Sequence, residues 1–580
     1  MASIWKQSLW HISVLFTAIF IDWIRIRTYP SLLTTDIAQI QRGLQDGTFT
    51  SVDLVTTYLA RIAQVNPQVH AIVELDPAAL SVAADLDAER RRRGPRSDLH
   101  GVPVLLKNLI CASGLNATAG SYALLGSVCA REASIVTKLR EAGAIILGTS
   151  NLSQWGMGRS STGNSSGGWS AHGGQTIGAF HPRQDPDGSS SGSAVAIALG
   201  LSTFTIGTEV EGSIIVPAEK SNAVALKPTA GLVSRDGIVI SHRRGTVGPI
   251  TRTVRDAAIV LGIIGGPSDL DYGGLEVPQH ELPNYVQVCD SASLKGARIV
   301  VAREAMARGG GGYLIPRNGI YRGSFGNTDP EILEAFEKVI SVLRENGAYV
   351  VDNADYPGLD DRLKSNPSMK AGASDVRRDL EKFFSGLSVN PNKIRNMEDL
   401  ARFTMAHPLE EYPTRNIDLF ELALEAPSPD SEEVVLVGQR MRDLRGPLGV
   451  DGALAAGNVS ALVVPSIVAH IMAGLIGYPT VTIPMGSFSD DAETYTSKTY
   501  NLTWQAPGIP FGVSFVGTAL SEATLINYAC ALQSKTRHQT QIHPNIKPRT
   551  ELWHVVPRPK WFKTILTNSL QTFLAKTQFF

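Results

Sequence analysis

The chain has 580 residues and a formal net charge of −1 at pH 7, so it can bury a large core and has no basic field suited to nucleic acid. Hydrophobic residues make up 43% of the chain and charged residues 18%, which is typical of a soluble globular enzyme. The four cysteines (Cys111, Cys129, Cys289 and Cys530) show no C-x-x-C spacing, which predicts buried free thiols rather than disulfides or a thiolate zinc site.

The N-terminal segment, residues 1–34, is mostly apolar from Leu9 to Ile24, with Lys6 before this run and Arg25 after it. The run is short for a membrane span and lacks an obvious small-x-small cleavage site. A secretory signal, a membrane anchor and a helix packed on the enzyme therefore stay open, as does a cytoplasmic location. Asn-x-Ser/Thr tripeptides, which are too common to establish secretion, occur at Asn116, Asn151, Asn164, Asn458 and Asn501.

Residues 35–550 are predicted to form one catalytic domain of alternating helices and strands. The predicted elements are helices within 35–65, strand Val102–Leu106, helix Ser134–Ala142, strand Ala144–Gly148, helix Ala194–Leu201, strand Phe204–Gly207, strand Leu294–Val301, helix Pro330–Glu345, strand Ala348–Val351, strands Ala461–Pro465 and Thr480–Pro484, and helix Glu522–Lys535. This order predicts an α/β fold with a large mixed β-sheet sandwiched between helices. Active-site loops are then expected at strand ends.

Two further segments allow more than one interpretation. Residues 374–426 are predicted to be largely helical, and their aromatic side chains either shape a substrate pocket or belong to the core. Residues 551–580 form a basic tail with apolar residues at helical spacing, which either lies on a membrane surface or docks on its own domain. The aromatic residues of the first segment are Phe383, Phe384, Phe403, Tyr412 and Phe420.

Two serine-containing loops and an upstream lysine form the candidate catalytic site. The loops read Gly-Ser-Ser-Ser-Gly-Ser from residue 188 and Gly-Thr-Glu-Val-Glu-Gly-Ser-Ile from residue 207. Tight turns of this kind let backbone N–H groups converge on an oxyanion. Lys107 ends an apolar strand that carries its ammonium group inward, where desolvation favours the neutral amine and makes it a usable base.

These motifs resemble those of the amidase signature enzymes, and especially a long amidase-like branch common in fungi. The resemblance covers about residues 35–549. Its most specific stretch is Gln184–Pro249, which contains both serine loops and Ala-Leu-Lys-Pro-Thr-Ala-Gly-Leu-Val-Ser-Arg. His-Gly-Val-Pro-Val-Leu-Leu-Lys at 100–107 and Gly-Tyr-Pro-Thr-Val-Thr-Ile-Pro-Met-Gly at 477–486 support it. The resemblance implies the amidase signature fold.

Carried onto this chain by motif, the resemblance implies a Ser-Ser-Lys triad. Ser213 is then the nucleophile, Ser189 the bridging serine, and Lys107 the base. Neutral Lys107 would accept the proton of Ser189, which accepts the proton of Ser213 as that hydroxyl attacks an acyl carbonyl. The resemblance also implies a cis peptide bond at Ser189.

The same resemblance implies an oxyanion hole made of backbone N–H groups. Its donors would be Val210, Glu211 and Gly212, together with Ser213 itself, and each donor contributes a few kcal/mol. Ser190 would donate a hydrogen bond that orients the bridging serine or the lysine. No metal and no cofactor are expected.

Three positions depart from the common family pattern. Glu211 replaces the first glycine of Gly-Gly-Ser, which is tolerable for a backbone donor if its φ angle stays negative. Asn108 and Gly245 stand where aspartate is frequent. These departures bear on the support of the pocket and on the rate more than on the reaction type.

The predicted function is hydrolysis of the C–N bond of a small or medium organic amide through an acyl-enzyme, with specialised metabolism as one setting. The expected partner is a small-molecule amide, with no nucleic acid. Membrane contact through either terminal segment and formation of a homodimer stay open. The alternatives are an amidotransferase-type subunit that needs a partner and a catalytically degenerate scaffold.

Overall fold

The computed structural model describes residues 29–556. The positions left out within that range are 161–165, 240–243, 267, 269, 272–281, 308–327, 353–356, 359–367 and 445. The apolar run at residues 9–24 and the amphipathic pattern predicted after residue 556 lie outside the described residues.

An 11-stranded mixed sheet forms the centre of the described fold. In order across the sheet, its strands are Ile72–Leu75, Ile145–Ser150, Pro103–Lys107, Phe204–Glu209, Thr246–Thr251, Val224–Lys227, Thr480–Ser487, Pro510–Val516, Ala461–Pro465, Arg298–Val301 and Tyr349–Asp352. Parallel pairs lie on both sides of an antiparallel centre. This arrangement confirms the predicted large mixed sheet.

Helices flank the sheet, and three two-stranded pairs lie outside it. The α-helices are Ile37–Gln45, Ser51–Val69, Ala79–Arg93, Ser134–Glu141, Ser191–Ala198, Ile215–Glu219, Val254–Ile264, Tyr285–Asp290, Arg303–Ala307, Pro330–Glu345, Ser368–Ser385, Met397–Ala406, Asp418–Glu425, Glu432–Asp443, Val450–Gly457, Ser466–Ala473, Glu522–Thr536 and Leu552–Val555. The short pairs join Val128–Cys129 to Leu387–Val389, Tyr495–Thr496 to Thr503–Gln505, and Trp169–Ser170 to Gly174–Gln175.

The strand Pro103–Lys107 shows how the sequence places the site. All five of its residues are buried, and it pairs in parallel with both Ile145–Ser150 and Phe204–Glu209. A strand enclosed in this way reads as a continuous apolar run, which Pro-Val-Leu-Leu is. Its last residue, Lys107, therefore emerges at the carboxyl edge of three parallel strands, where the active-site loops of α/β sheets lie.

Side-chain caps begin the first two helices. Asp36 caps Ile37–Gln45, because its side chain accepts a hydrogen bond from the Gln39 N–H at 2.6 Å. The second helix is capped by Thr50, whose hydroxyl accepts from the Asp53 N–H at 3.1 Å. Threonine is a good capping residue that satisfies an orphan N–H of the first turn.

The prediction of free thiols is wrong, because all four cysteines are paired. Cys111 bonds to Cys129, and Cys289 bonds to Cys530. Their Cα atoms lie 6.2 and 5.5 Å apart, within the range that disulfides require. The partners are 18 and 241 positions apart in sequence, so only the fold brings them together.

Both ends of the described chain pack on the catalytic domain. The Glu551 carboxylate accepts from the Leu32 N–H at 2.8 Å and pairs with the buried Arg61 at 2.6 Å, and Leu552 is fully buried. Residues on either side of the predicted boundaries at 34/35 and 550/551 thus belong to one packed unit. Among the helices that the structure describes, none combines the length and apolar character that crossing a membrane requires.

Candidate active site

Lys107 is a buried lysine whose hydrogen-bond partners are neutral oxygens. Its Nζ lies 2.7 Å from Ser189 Oγ, 3.0 Å from Thr208 Oγ1 and 3.1 Å from the Thr208 carbonyl. Burial lowers the pKa of Lys107 from 10.5 to about 7, although the negative charge of Glu209 acts to raise it. A substantial fraction of this lysine is therefore neutral near pH 7 and able to accept a proton.

Ser189 lies in the loop that precedes the helix Ser191–Ala198. Ser189 is buried and follows a cis peptide bond after Gly188. Its carbonyl accepts a hydrogen bond from the Ser153 N–H at 3.0 Å. A Cβ at Gly188 would lie 2.2 Å from Ser153 Oγ, so a side chain there would have to displace this hydroxyl.

Ser190 links the two serine loops. Its N–H donates to the Ser213 carbonyl at 3.0 Å, and its hydroxyl donates to the Thr208 carbonyl at 3.2 Å. The Thr208 carbonyl also accepts from Lys107. Ser190 therefore contacts both Ser213 and Thr208, the residue that accepts from Lys107, and its hydroxyl donates to Thr208 rather than to Ser189 or Lys107.

The carboxylate of Glu209 shapes the loop that carries Ser213. Its Oε1 accepts from the Gly212 N–H at 2.8 Å, and its Oε2 accepts from the Ile214 and Ile215 N–H groups at 2.7 and 3.0 Å. Hydrogen bonds to an ionised acceptor are the strong ones in proteins. The turn that carries Ser213 is thus wrapped around one buried carboxylate.

The hydrogen bonds to Glu209 change which backbone N–H groups can serve as oxyanion donors. The N–H of Gly212, one of the predicted donors, is occupied by Glu209 in this geometry. Gly212 instead contributes its conformation, because its φ of 82° is left-handed and a Cβ would meet Val216 at 3.1 Å. Glu211 does not adopt a positive φ. A side chain at this position is therefore compatible with a backbone N–H donor, as the sequence analysis required.

A cavity that is partly open to solvent brings these groups together. Its wall includes Ser189, Thr208, Glu209, Val210 and Ser213, and Gly245 also lies on it. Trp155, Leu109, Ile238 and Val247 supply apolar surface. Arg235 also reaches the wall, and its guanidinium pairs with Asp271 at 2.9 Å.

The aromatic residues of 374–426 act behind the cavity rather than on it. None of the described residues that line this cavity comes from 374–426 or from 466–476. Phe420 is fully buried and packs edge-on against Trp155, with ring centroids 6.2 Å apart. The core interpretation of these aromatics therefore fits better at Phe420.

A buried ion pair ties that segment to the cavity wall. Glu410 accepts from Arg159 at 2.9 Å, from Gln154 Nε2 at 2.6 Å and from Ser121 Oγ at 2.6 Å. Burial lowers the pKa of Arg159 to about 10, against the opposing effect of Glu410. Arg159 thus keeps its charge at neutral pH and holds 374–426 next to Trp155.

The segment 466–476 packs behind the loop that carries Ser213. A Cβ placed on Gly474 would lie 2.8 Å from the Glu211 Cα. A Cβ on Gly212 would lie 3.3 Å from His470 Cδ2. This packing restricts where the loop backbone can move.

Asn108 has a structural role that an aspartate could not fill in the same way. Its Nδ2 donates to the Asn116 carbonyl and to Thr149 Oγ1 at 2.8 and 3.0 Å. Its Oδ1 accepts from Thr118 Oγ1 at 2.5 Å. An ionised carboxylate has no donor for the first two contacts, so the amide suits this environment.

The sequence patterns assign no role to three residues that the structure places at or near the site. Thr208 and Glu209 belong to the loop that begins at residue 207, but the motif predicts no role for either side chain. Glu410 belongs to none of the motifs. The position of Thr208 at the end of a strand parallel to that of Lys107 is the one signal that could have placed it beside the lysine. Glu410 lies 251 positions from Arg159, and no local pattern connects them.

Comparison with known proteins gives consistent matches across the described fold. Residues 53–310 match the family model described as Amidase. A protein of Arthroderma benhamiae that carries the name amidase is 38% identical over 547 residues, covering 90% of this chain and 89% of that protein. The X-ray structure of the native peptide amidase from Stenotrophomonas maltophilia matches with a TM-score of 0.76 and 34% identity, over 88% of this chain and 99% of that chain. A glutamyl-tRNA(Gln) amidotransferase subunit from a Roseiflexus species is 30% identical, over 87% of this chain and 97% of that subunit.

Proposed function

This chain belongs to the amidase signature family, and from that premise we propose that it hydrolyses carboxamides through an acyl-enzyme on Ser213. The observation that carries the proposal is the contact of 2.7 Å between Lys107 Nζ and Ser189 Oγ, at a cavity that Ser213 also lines. Lys107 contacts Ser189, and the half-buried Ser213 lines the same cavity as Ser189. This set suits nucleophilic catalysis without histidine.

In the first step, neutral Lys107 accepts the proton of Ser189 Oγ, and Ser189 accepts the proton of Ser213 Oγ. The Ser213 oxygen forms a bond to the amide carbonyl carbon, and the carbonyl electrons move onto oxygen. The relay then runs in reverse and protonates the leaving nitrogen as the C–N bond breaks. Water attacks the resulting ester by the same relay and releases the carboxylic acid.

Backbone N–H groups of Val210, Glu211 and Ser213 are the proposed donors to the transition-state oxyanion. The neighbouring N–H groups of Gly212, Ile214 and Ile215 donate to the Glu209 carboxylate. The three proposed donors are N–H groups that do not bind this carboxylate. Donors fixed in place before the reaction stabilise the developing charge at no reorganisation cost. Glu209 would therefore act as a positioning residue for the oxyanion hole.

The proposed substrate is an uncharged carboxamide of a small or medium molecule. The cavity wall is largely apolar around Trp155, and the charge of Arg235 is matched by Asp271, so the described part of the wall favours a neutral group over a carboxylate. The Stenotrophomonas maltophilia neighbour is a peptide amidase, so peptide amides form the first group of compounds to test.

The test combines a fluorophosphonate probe with product analysis by mass spectrometry. Purified wild type is expected to label on Ser213 and to release acid from an amide. Ser213→Ala is expected to abolish labelling and to lower kcat by about 10⁶-fold, the scale seen when a triad nucleophile is removed. Ser191→Ala is the matched control, because the Ser191 hydroxyl makes only a contact of 3.4 Å to the Ser189 carbonyl.

Two outcomes would contradict the proposal. Labelling or turnover that survives in Ser213→Ala would remove the nucleophile from this position. Turnover that requires an added partner protein would favour the amidotransferase-type alternative, which the match to the Roseiflexus amidotransferase keeps open.

A further inference from the structure

We propose that Asn458 and Asn501 are N-glycosylated, and that this chain folds in the oxidising secretory pathway. The inference does not depend on the catalytic reaction. It rests on two separate observations, namely the pairing of the cysteines and the different surroundings of the asparagines that stand in Asn-x-Ser/Thr tripeptides.

The cysteine pairing indicates the cellular compartment in which the chain folds. The chain has four cysteines, and all of them form disulfides. Cys289–Cys530 joins the helix Tyr285–Asp290 to the helix Glu522–Thr536, so it links parts of the domain that are distant in sequence. Disulfides of this structural kind form and persist in secreted proteins, whereas cytosolic thiols are kept reduced. N-linked glycans are added in the same oxidising pathway.

Two of the five tripeptides have an asparagine that the fold itself uses. Asn151 is fully buried, and its Nδ2 donates to the His70 carbonyl at 3.0 Å and to Thr176 Oγ1 at 3.0 Å. Asn116 donates from Nδ2 to Glu74 Oε1 at 2.8 Å. A sugar on either nitrogen would displace these partners, so both positions are incompatible with a glycan in the folded chain.

Asn458 and Asn501 have different surroundings from Asn116 and Asn151. Both are exposed and both adopt the left-handed conformation, with φ of 45° and 57°. Asn458 ends the helix Val450–Gly457, and Asn501 lies in the turn before the strand Thr503–Gln505. Asparagine is favoured in this conformation at helix ends and turns. A glycan attached at either site projects into solvent without displacing packed atoms.

The glycosylation reaction needs one sugar donor. The amide nitrogen of asparagine forms a bond to the anomeric carbon of a lipid-diphosphate-linked oligosaccharide, and the bond from that carbon to the diphosphate oxygen breaks. The amide nitrogen loses one proton, and the lipid diphosphate leaves with the electron pair. The asparagine of the fifth tripeptide, Asn164, lies outside the described residues, and the proposal does not cover it.

The experiment uses the full chain expressed in a eukaryotic cell. The purified protein is treated with peptide N-glycosidase in ¹⁸O-labelled water, which converts a glycosylated asparagine into labelled aspartate, and peptides are mapped by mass spectrometry. Label is expected at positions 458 and 501 and is not expected at Asn116 or Asn151. Alkylation without prior reduction is expected to leave all four cysteines unmodified.

Variants separate glycosylation from folding. Asn458→Gln and Asn501→Gln are each expected to remove one glycan step from the electrophoretic mobility, and the double variant removes both. Ser460→Ala is expected to remove the glycan at Asn458 while keeping the asparagine, and Thr503→Ser keeps the glycan at Asn501. Unlabelled asparagine at both positions in the folded chain, or alkylated cysteines, would overturn the proposal whether or not the chain leaves the cell.

Discussion

Two of the cations that are buried near the active-site cavity, Lys107 and Arg159, behave differently. Lys107 donates to three neutral oxygens, those of the Ser189 hydroxyl and of the Thr208 hydroxyl and carbonyl. Arg159 instead pairs with the Glu410 carboxylate at 2.9 Å. Burial lowers the pKa of Lys107 to about 7 and that of Arg159 to about 10.

The difference shows how one fold divides reactivity from stability. A buried ammonium surrounded by neutral oxygens gains by losing its proton, which gives a base at neutral pH. A buried guanidinium beside a carboxylate remains charged and acts as a fixed link. The first region can perform chemistry because no carboxylate hydrogen-bonds to its ammonium group. The second can hold a segment because a carboxylate pairs with its guanidinium.

Replacing the lysine is expected to have the largest effect on activity. Lys107→Met keeps an unbranched side chain that is one atom shorter and removes the base, so kcat/KM is expected to fall by about 10⁴-fold, the upper end for loss of general base catalysis. The lost hydrogen bonds to neutral oxygens cost about 0.5–1.5 kcal/mol each, so a folded protein remains. Amide turnover and a thermal melt of the same sample are the measurements. A folded variant with wild-type turnover would exclude Lys107 as the base.

Replacing the arginine is expected to affect stability instead. Arg159→Met leaves the Glu410 carboxylate buried without its cation, which costs about 3–5 kcal/mol. Urea unfolding monitored by tryptophan fluorescence measures this loss. The double variant Arg159→Met with Glu410→Leu removes both charges and is expected to be less destabilised than the sum of the single variants. Strict additivity of the two single variants would contradict the pairing.

A smaller effect is expected at the carboxylate that lies between the lysine and the nucleophile loop. Glu209→Gln replaces an acceptor of three backbone N–H groups by an amide with one acceptor oxygen, which is expected to cost about 1–3 kcal/mol of stability for an unsatisfied group. Because the Glu209 charge raises the pKa of Lys107, the activity midpoint of the variant should move to lower pH.

Glu209→Asp is the matched control for that prediction. It keeps the charge near Lys107 but shortens the reach to the loop amides. A variant that retains the wild-type pH midpoint and loses kcat would separate the positioning role of Glu209 from its charge. An unchanged midpoint in Glu209→Gln would contradict the electrostatic part of the account.

Much of the catalytic region could be predicted because its signals are local in sequence. The strand Ala461–Pro465 and the helix Pro330–Glu345 have the predicted bounds, since each is one uninterrupted apolar or amphipathic run with clear ends. The strand expected at Leu294–Val301 is shorter, Arg298–Val301, because Gly296 adopts a left-handed φ of 78° and turns the chain before it.

The rest could not be predicted because it depends on residues that meet only in the fold. Cys289 and Cys530 are 241 positions apart, and Glu410 reaches Arg159 across 251 positions. The engagement of the Gly212 N–H by Glu209 is local, but it depends on how the turn is wound rather than on which residue types are present.

The pH dependence of inactivation by a fluorophosphonate tests the central claim most directly, because it reports activation of Ser213 without any assumption about the substrate. With the base lysine active only when neutral, the rate constant is expected to be low in acid, to rise with pH with a midpoint of about 7, and then to level off. The same profile should be lost in Lys107→Met. A midpoint near the ordinary lysine value of 10.5, or an unchanged profile in Lys107→Met, would contradict the account.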